Sequence, residues 1–139
     1  MDYKFLLFSF DGRIGRKQFW IWNISYYLFL SAVGSMLAHI SPGMALYAIP
    51  VLSLILFYPD LAITAKRWHD RNKSNRFLLL SIPLIIGRLL VPFSAQAETG
   101  DGVSRILSLI ALICGVWILV ECGLLKGSDG KNDYGEAYQ

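Results

Sequence analysis

The sequence has few charged residues, and a long part of it has none. Lys, Arg, Asp and Glu make up 17% of the 139 residues, against about 25% in an average globular domain. None of them occurs between Gln18 and Pro59. A membrane-spanning helix needs about 20 predominantly apolar residues, so this uncharged stretch can hold one full span and most of a second. The composition excludes an ordinary soluble domain and indicates an integral membrane protein.

Cysteine and histidine are also scarce, which bears on metal and redox chemistry. Cys114 and Cys122 lie in one apolar run, and on a helix they would be about 12 Å apart, too far for a disulfide. The sequence has no CxxC motif, and its two histidines are distant from each other. We therefore expect no metal site and no cofactor.

The excess of basic residues has a simple explanation in a membrane protein. The net charge is +3 and the isoelectric point is about 9.0, values that in a soluble chain would suggest nucleic acid as the partner. In a membrane protein, Lys and Arg are retained on the cytoplasmic side. We expect no nucleic-acid partner, and a mean hydropathy of +0.47 supports contact with lipid instead.

The apolar blocks predict an all-α polytopic membrane protein, a single membrane domain over residues 1–139. Aromatic residues crowd the start of the first span, as is typical near a membrane interface. The apolar start of the chain is too short to cross, so we expect a short interfacial segment there. A tight turn is expected at 39–43 and a polar loop at 94–102. The four predicted transmembrane helices lie at about 19–38, 44–65, 77–93 and 103–125.

The distribution of basic residues predicts the orientation. Lys and Arg precede the first span, are dense between the second and third spans, and follow the fourth, whereas 39–43 and 94–102 contain none. By the positive-inside rule, both termini lie in the cytoplasm. The predicted cytoplasmic segments are 1–18, 66–76 and 126–139.

Three ionisable residues interrupt the apolar runs: Asp60, Arg88 and Glu121. Each costs about 2.5–3.5 kcal/mol at a helix centre on insertion scales, so each needs a reason to be there. One interpretation pairs the two acids with Arg13, Arg16 or Arg67 and lets Arg88 extend outward to the interface. The other places the acids in a polar cavity that opens to the cytosol.

The adjacent pair His69 and Asp70 could suggest catalysis or a metal site. On a helix, neighbouring side chains point about 100° apart, so the two would not form a hydrogen-bonded dyad. No GxSxG or comparable nucleophile motif accompanies them. We expect a non-enzymatic protein in which Asp70 caps or links helices, with no catalytic residue and no metal ligand.

Three polar stretches, taken in order, carry a family resemblance: FDGRIGRKQFW at 10–20, LAITAKRWHDRNKSNRF at 61–77 and LLKGSDGKNDYGEAY at 124–138. Together they resemble the bacterial inner-membrane family catalogued as domain of unknown function 805. Lys66 and Trp68 stand where Arg and Leu are usual in that family, and Asn75 stands where Gly is typical. The resemblance implies an inner-membrane protein but no activity. The matching positions are Gly12, Arg13, Arg16, Phe19, Trp20, Arg67, His69, Asp70, Gly127, Gly130, Asn132, Tyr134 and Gly135.

All three motifs fall on the predicted cytoplasmic side, so we expect them to converge in one polar cluster. Its expected members are Arg13, Arg16, Arg67, His69, Asp70, Asn132 and Tyr134. As a function, we expect a membrane module whose basic cytoplasmic face docks a protein partner or anionic lipid. The alternative is a small channel or transporter that uses Asp60, Arg88 and Glu121, for which four spans would require a homo-oligomer.

Overall fold

The computed structural model describes residues 3–94 and 102–137, which are mostly helical and contain no strand. The predicted loop at 94–102 lies almost entirely outside the described residues. The helices are α1 (Tyr3–Phe8), α2 (Arg16–Ile40), α3 (Pro42–Asp70), a 3₁₀ segment (Asn75–Leu80), α4 (Ser81–Ser94), α5 (Gly102–Ile118) and a π-helical segment (Leu119–Leu124).

Within the described ranges, three helical stretches are long and apolar enough to cross a membrane. They are Arg16–Ile40, Pro42–Asp70 and Gly102–Leu124, with mean hydropathies of 1.3, 1.8 and 2.4 in their most apolar windows. Their outward surfaces carry large apolar side chains, among them Leu28, Ile55 and Leu112. Such a surface is stable against lipid and not against water. The prediction of a helical membrane protein is therefore confirmed.

Helix α3 is longer than the second predicted span. It starts directly after the one-residue turn at Ser41, with Pro42 in the first helical turn, where a missing N–H costs nothing. It ends at Asp70 in a Schellman motif: Lys73 N donates to Trp68 O at 2.9 Å, and Asn72, with φ of 55°, donates to His69 O at 2.9 Å. Residues 66–70, predicted as part of a cytoplasmic loop, are thus the last turn of a helix.

The third predicted span is built from two pieces. The 3₁₀ segment Asn75–Leu80 leads directly into α4, which has 14 residues. Alone, α4 is shorter than the roughly 20 residues that a spanning helix needs. Its neighbours are α3 on one side and α5 on the other.

The protein-buried core lies at one end of the helix bundle. There the last turns of α3 are enclosed by α1, the start of α2, the π-helical segment and the tail that follows it. The apolar core combines Ile14, Phe19, Ile63, Trp68, Ile118 and Cys122. Along the rest of the bundle α2 packs on α3, α3 on α4 and α4 on α5, while no Cα atom of α2 lies within 8 Å of a Cα atom of α5, both helices being fully described.

Candidate functional site

The most charged segment of the chain is also its most buried. Lys66 and Arg67, in the last turns of α3, have 0% exposure, although they belong to the segment predicted as part of a basic cytoplasmic face. The reason is that α1 and the C-terminal tail cover this end of α3. A local sequence pattern does not predict either of these contacts. Long basic side chains are buried here because each reaches a specific acceptor.

The carboxylate of Asp70 lies between two guanidinium groups. Arg13 Nε and Nη2 donate to Asp70 Oδ1 at 3.1 and 2.9 Å, and Arg67 Nη1 donates to Oδ2. All three side chains are nearly inaccessible to solvent. One carboxylate cannot neutralise two cations, so the remaining guanidinium N–H groups need uncharged acceptors.

Backbone carbonyls of the π-helical segment and of the tail that follows it supply those acceptors. Arg13 Nη1 donates to Gly130 O at 2.7 Å and Gly135 O at 3.1 Å, and Nη2 donates to Ser128 O at 2.7 Å. Arg67 Nε donates to Cys122 O at 2.6 Å, and Nη2 donates to the carbonyl of Leu125. The tail is therefore folded around two arginine side chains.

The tail also bonds directly to the end of α3. Ser128 N donates to Asp70 O at 2.7 Å, and Asn132 Nδ2 donates to His69 O at 2.9 Å. The Tyr134 ring stacks on the His69 ring with centroids 3.8 Å apart and planes 4° apart. We call the assembled group the tail clamp; its side chains are Arg13, Arg67, His69, Asp70, Ser128, Asn132 and Tyr134.

Of the predicted polar cluster, the structure brings together every member except Arg16. Arg16 Nη1 donates to Leu124 O at 3.1 Å and lies beside the clamp without reaching Asp70. Lys66, Gly127 and Ser128 were missed as site residues, although all three stand within or next to the motifs. Lys66 donates to backbone carbonyls and Gly127 lies against the Asp70 carboxylate, and neither contact is indicated by a local sequence pattern.

His69 and Asp70 have different surroundings. His69 Nδ1 lies 3.2 Å from Gly12 O, and its ring face is covered by Tyr134. The Asp70 carboxylate faces the arginines instead. The two side chains therefore contact different segments, as neighbouring side chains that point about 100° apart on a helix do.

Lys66 holds α1 against α3. Its ammonium group donates to Phe5 O at 2.9 Å and Leu6 O at 2.6 Å. Carbonyls in the last turn of a helix have no partner within that helix and attract cations. Lys66 therefore caps the C-terminal end of the six-residue helix α1.

The second ionic centre lies in the middle of the bundle. Asp60 of α3 accepts Arg88 Nη1 at 2.8 Å and Trp22 Nε1 at 3.0 Å, and Arg88 Nη2 donates to the Tyr27 hydroxyl at 2.7 Å. The partner of Asp60 is therefore not one of the predicted arginines Arg13, Arg16 or Arg67. Arg88 turns inward to α3 rather than outward, because α4 packs beside α3 at this level.

Glu121 pairs with the turn that follows α3. Arg71 Nε lies 2.8 Å from its carboxylate and Lys73 Nζ 2.9 Å, so its partners also differ from the predicted arginines. A cavity of about 650 Å³ is lined by Asp60 and Arg88 but not by Glu121. The three charges do not share one cavity, which removes the main geometric support for a common conduction path.

A pocket of about 420 Å³ opens on the outer side of the tail clamp. Arg13 and Asp70 form part of its wall, and three exposed basic residues line its edge: Arg16, Lys17 and Lys126. The exposed acid Asp129 lines the same pocket and pairs with Lys126 at 2.6 Å, so these four exposed side chains carry a net charge of +2. A net positive charge around one opening suits an anion.

Comparisons with known proteins support an inner-membrane assignment. Residues 7–136 match the model of the family described as "Protein of unknown function (DUF805)". The chain is 30% identical over 136 residues to the Escherichia coli K12 protein named "Uncharacterized protein YiiR", covering 96% of this chain and 88% of that one. It is also 30% identical to "Inner membrane protein YhaH" of that strain (66% and 78% covered) and 31% identical to "Inner membrane protein YhaI" (67% and 80%). No solved structure matches it.

Proposed function

The chain belongs to the DUF805 family of membrane proteins, and from that premise we propose that it is a multi-pass, non-enzymatic module of the bacterial inner membrane. Its cytoplasmic face binds the headgroups of anionic phospholipids. The observation that carries the proposal is the pocket edged by Arg16, Lys17 and Lys126. The clamp itself is assigned a structural role, since its charged groups are already bonded to one another.

The proposal includes four membrane crossings. Three are the long apolar helices, and the fourth is the 3₁₀ segment together with α4. Six residues rising about 2.0 Å each and fourteen rising about 1.5 Å each give about 33 Å, close to the roughly 30 Å of the hydrocarbon layer. The exposed aromatic side chains of α1, Tyr3, Phe5 and Phe8, suit a position in the interface.

The tail clamp supports placing both termini on one side. Arg13 precedes α2, Asp70 ends α3 and Ser128 follows the last helix, and these three residues are in contact. The basic residues concentrate at this end, so we assign it to the cytoplasm.

Reporter fusions test this topology. Fusions after Lys73 and after Gln139 should give cytoplasmic signals, while fusions after Ser41 and after residue 98 should give periplasmic signals. A periplasmic signal after Lys73 would reject the orientation.

Headgroup binding follows from charge complementarity at the pocket. Each basic residue near a membrane surface contributes about 1 kcal/mol of attraction to anionic lipid. Three such residues around one opening contribute about 3 kcal/mol, or on the order of 100-fold in affinity, against which the Asp129 carboxylate beside Lys126 acts with about 1 kcal/mol of repulsion. A zwitterionic headgroup gains little of this.

The experiment compares phosphatidylglycerol with phosphatidylcholine as ligands of the detergent-purified full chain. The triple variant Arg16→Gln, Lys17→Gln, Lys126→Gln should lose on the order of 100-fold in phosphatidylglycerol affinity, measured by native mass spectrometry and by the lipid-induced rise in Tm. A matched control removes three exposed charges away from the pocket: Arg76→Gln, Arg105→Gln and Lys131→Gln. An equal loss of affinity in both triple variants would refute the pocket. If a protein co-purifies with the unmodified chain and only the first triple variant releases it, a protein partner is favoured.

A further inference from the structure

A cleft separates α2 from α5 over much of their length. No Cα atom of one helix lies within 8 Å of a Cα atom of the other, and the cavity of about 650 Å³ lies between them, with α3 and α4 as its floor. On the α5 wall, Ala111 and Gly115 lie close to α4: a Cβ atom added at Gly115 would be 3.4 Å from Leu84, and one added at Gly87 would be 3.8 Å from Ala111. Leu28 and Leu112 line the cleft and are also among the exposed apolar residues, so the cleft opens on the surface that faces lipid.

We propose that this cleft holds one acyl chain of the anionic phospholipid whose headgroup occupies the basic pocket. This inference rests on the proposed headgroup binding and adds a second, apolar half to the same site. The protein would then bind an individual phospholipid of the cytoplasmic leaflet, rather than only attracting an anionic surface.

The two halves are continuous along one face of α2. Arg16 edges the pocket, and Trp20, one turn further on, lines the start of the cleft. Residues three or four positions apart share a helix face, and the cleft continues along that face through Tyr27 to Ser31. From Trp20 to Ser31 the helix rises about 16 Å, about half of the roughly 30 Å hydrocarbon layer. The cleft is therefore as deep as one leaflet.

The size of the cleft argues for a chain and against a helix. A helix with its side chains is about 10–12 Å wide, so 16 Å of it fills well over 1,000 Å³, more than the cleft offers. The charged groups in the wall do not exclude an acyl chain, because Asp60 and Arg88 are bonded to each other and to Trp22 and Tyr27. Most other lining residues are apolar.

The test uses two probes that share a headgroup. Dioleoyl phosphatidylglycerol carries long chains, and dihexanoyl phosphatidylglycerol, used below its micelle concentration, does not. Ala111→Phe fills the cleft and should weaken binding of the long-chain probe at least tenfold while leaving the short-chain probe unchanged. Ser108→Phe, on an exposed part of α5 outside the cleft, is the matched control and should bind both probes like the unmodified protein.

The outcomes separate the two proposals. If Ala111→Phe binds the long-chain probe with wild-type affinity, the proposal of an acyl-chain site in the cleft is rejected and the proposed headgroup site is unaffected. If the triple variant Arg16→Gln, Lys17→Gln, Lys126→Gln binds both probes with the affinity of the unmodified protein, the headgroup site is overturned instead.

A second measurement leaves Ala111 unchanged, so it tests the proposal even if Ala111→Phe does not fold. Phosphatidylglycerol with bromine on its acyl chain quenches tryptophan on contact. At one equivalent of lipid, Trp20→Phe should at least halve the quenched fraction, because Trp20 lines the cleft, whereas Trp117→Phe, on the exposed side of α5, should not. A larger effect of Trp117→Phe shows binding at the general lipid surface and rejects the cleft.

Discussion

Asp70 is the residue on which the buried end of the bundle depends. It is the acid that both Arg13 and Arg67 contact among the described residues. Removing one partner of a buried ionic group leaves an uncompensated charge, which costs far more than the pair itself contributes. Here the loss would leave two guanidinium groups without their anion.

Asp70→Ala should therefore lower the free energy of unfolding by about 3–5 kcal/mol. The hydrogen bonds that Arg13 donates to the tail carbonyls should also weaken, because the guanidinium group is no longer held in position. The measurement is thermal unfolding in detergent together with limited proteolysis of residues 126–137.

Asp129→Ala is the control for that prediction. Asp129 lies in the same tail and pairs with Lys126, but both side chains are largely exposed, and exposed pairs contribute about 0–1 kcal/mol. Unchanged Tm and unchanged tail cleavage in Asp70→Ala would show that the clamp does not hold the tail.

Gly127 gives a steric prediction at the same place. A Cβ atom there would lie 1.9 Å from Asp70 Oδ2 and 2.5 Å from Asp70 Cγ, and that carboxylate is fixed by two arginines. Gly127→Ala should cost about 1–3 kcal/mol, as overpacking in a well-packed core does. Gly87→Ala, whose new Cβ would meet Ala111 at an ordinary 3.8 Å, should keep the unfolding free energy of the unmodified protein; an equal loss in the two variants would refute the steric argument.

Individual partners could not be predicted from the sequence, even where the residues could. The three motifs indicated Arg13, Arg67 and Asp70, but through resemblance rather than through their mutual geometry. Asp60 pairs with Arg88 because α3 and α4 pack in a particular register. That register depends on side-chain packing between helices, which the local spacing of residues does not encode.

At the scale of helices, the apolar spans were predictable and their ends were not. Hydropathy and the absence of charge indicated α2, α3 and α5, since a bilayer selects long apolar runs. The positive charge of residues 66–70 suggested that α3 ends before them, yet the helix continues to Asp70. Its end is determined by the Schellman motif at Asn72, which depends on the backbone conformation there. It is also determined by contacts with α1 and the tail, which are distant in the sequence.

Lys66 contributes hydrogen bonds to the docking of α1, beside the Tyr58 hydroxyl that donates to Phe8 O at 3.2 Å. Lys66→Met keeps most of the side-chain volume but leaves Leu6 O without its donor, while Phe5 O keeps the bond from Ser9 N at 3.2 Å. An unsatisfied buried acceptor costs about 1–3 kcal/mol, so backbone amides of α1 should exchange hydrogen about 5- to 150-fold faster. Hydrogen-exchange mass spectrometry of a peptide covering residues 3–12 measures this.

Lys17→Met is the corresponding control, because Lys17 is exposed at the start of α2. Its α1 exchange rates should equal those of the unmodified protein. If Lys66→Met also leaves them unchanged, α1 is held by its apolar contacts alone.

On the scale of the whole molecule, two of the ionic centres among the described residues differ in their surroundings. One joins the segment before α2, the end of α3 and the tail through Asp70 at the covered end, and the other joins α2, α3 and α4 through Asp60 beside the cleft. Ten residues of α3 separate the two acids, about 15 Å along the helix. They share no hydrogen-bond partner among the described residues.

Sites that far apart without common partners have additive effects on stability, within about 0.3–0.5 kcal/mol. The double variant Asp60→Asn, Asp70→Asn should therefore lose the sum of the two single losses in unfolding free energy. By contrast, Arg13→Gln combined with Asp70→Asn should lose less than the sum, because each single change already breaks the same bond. Chemical unfolding in mixed micelles measures both cycles. A coupling of more than 1 kcal/mol between Asp60 and Asp70 would refute the independence of the two centres.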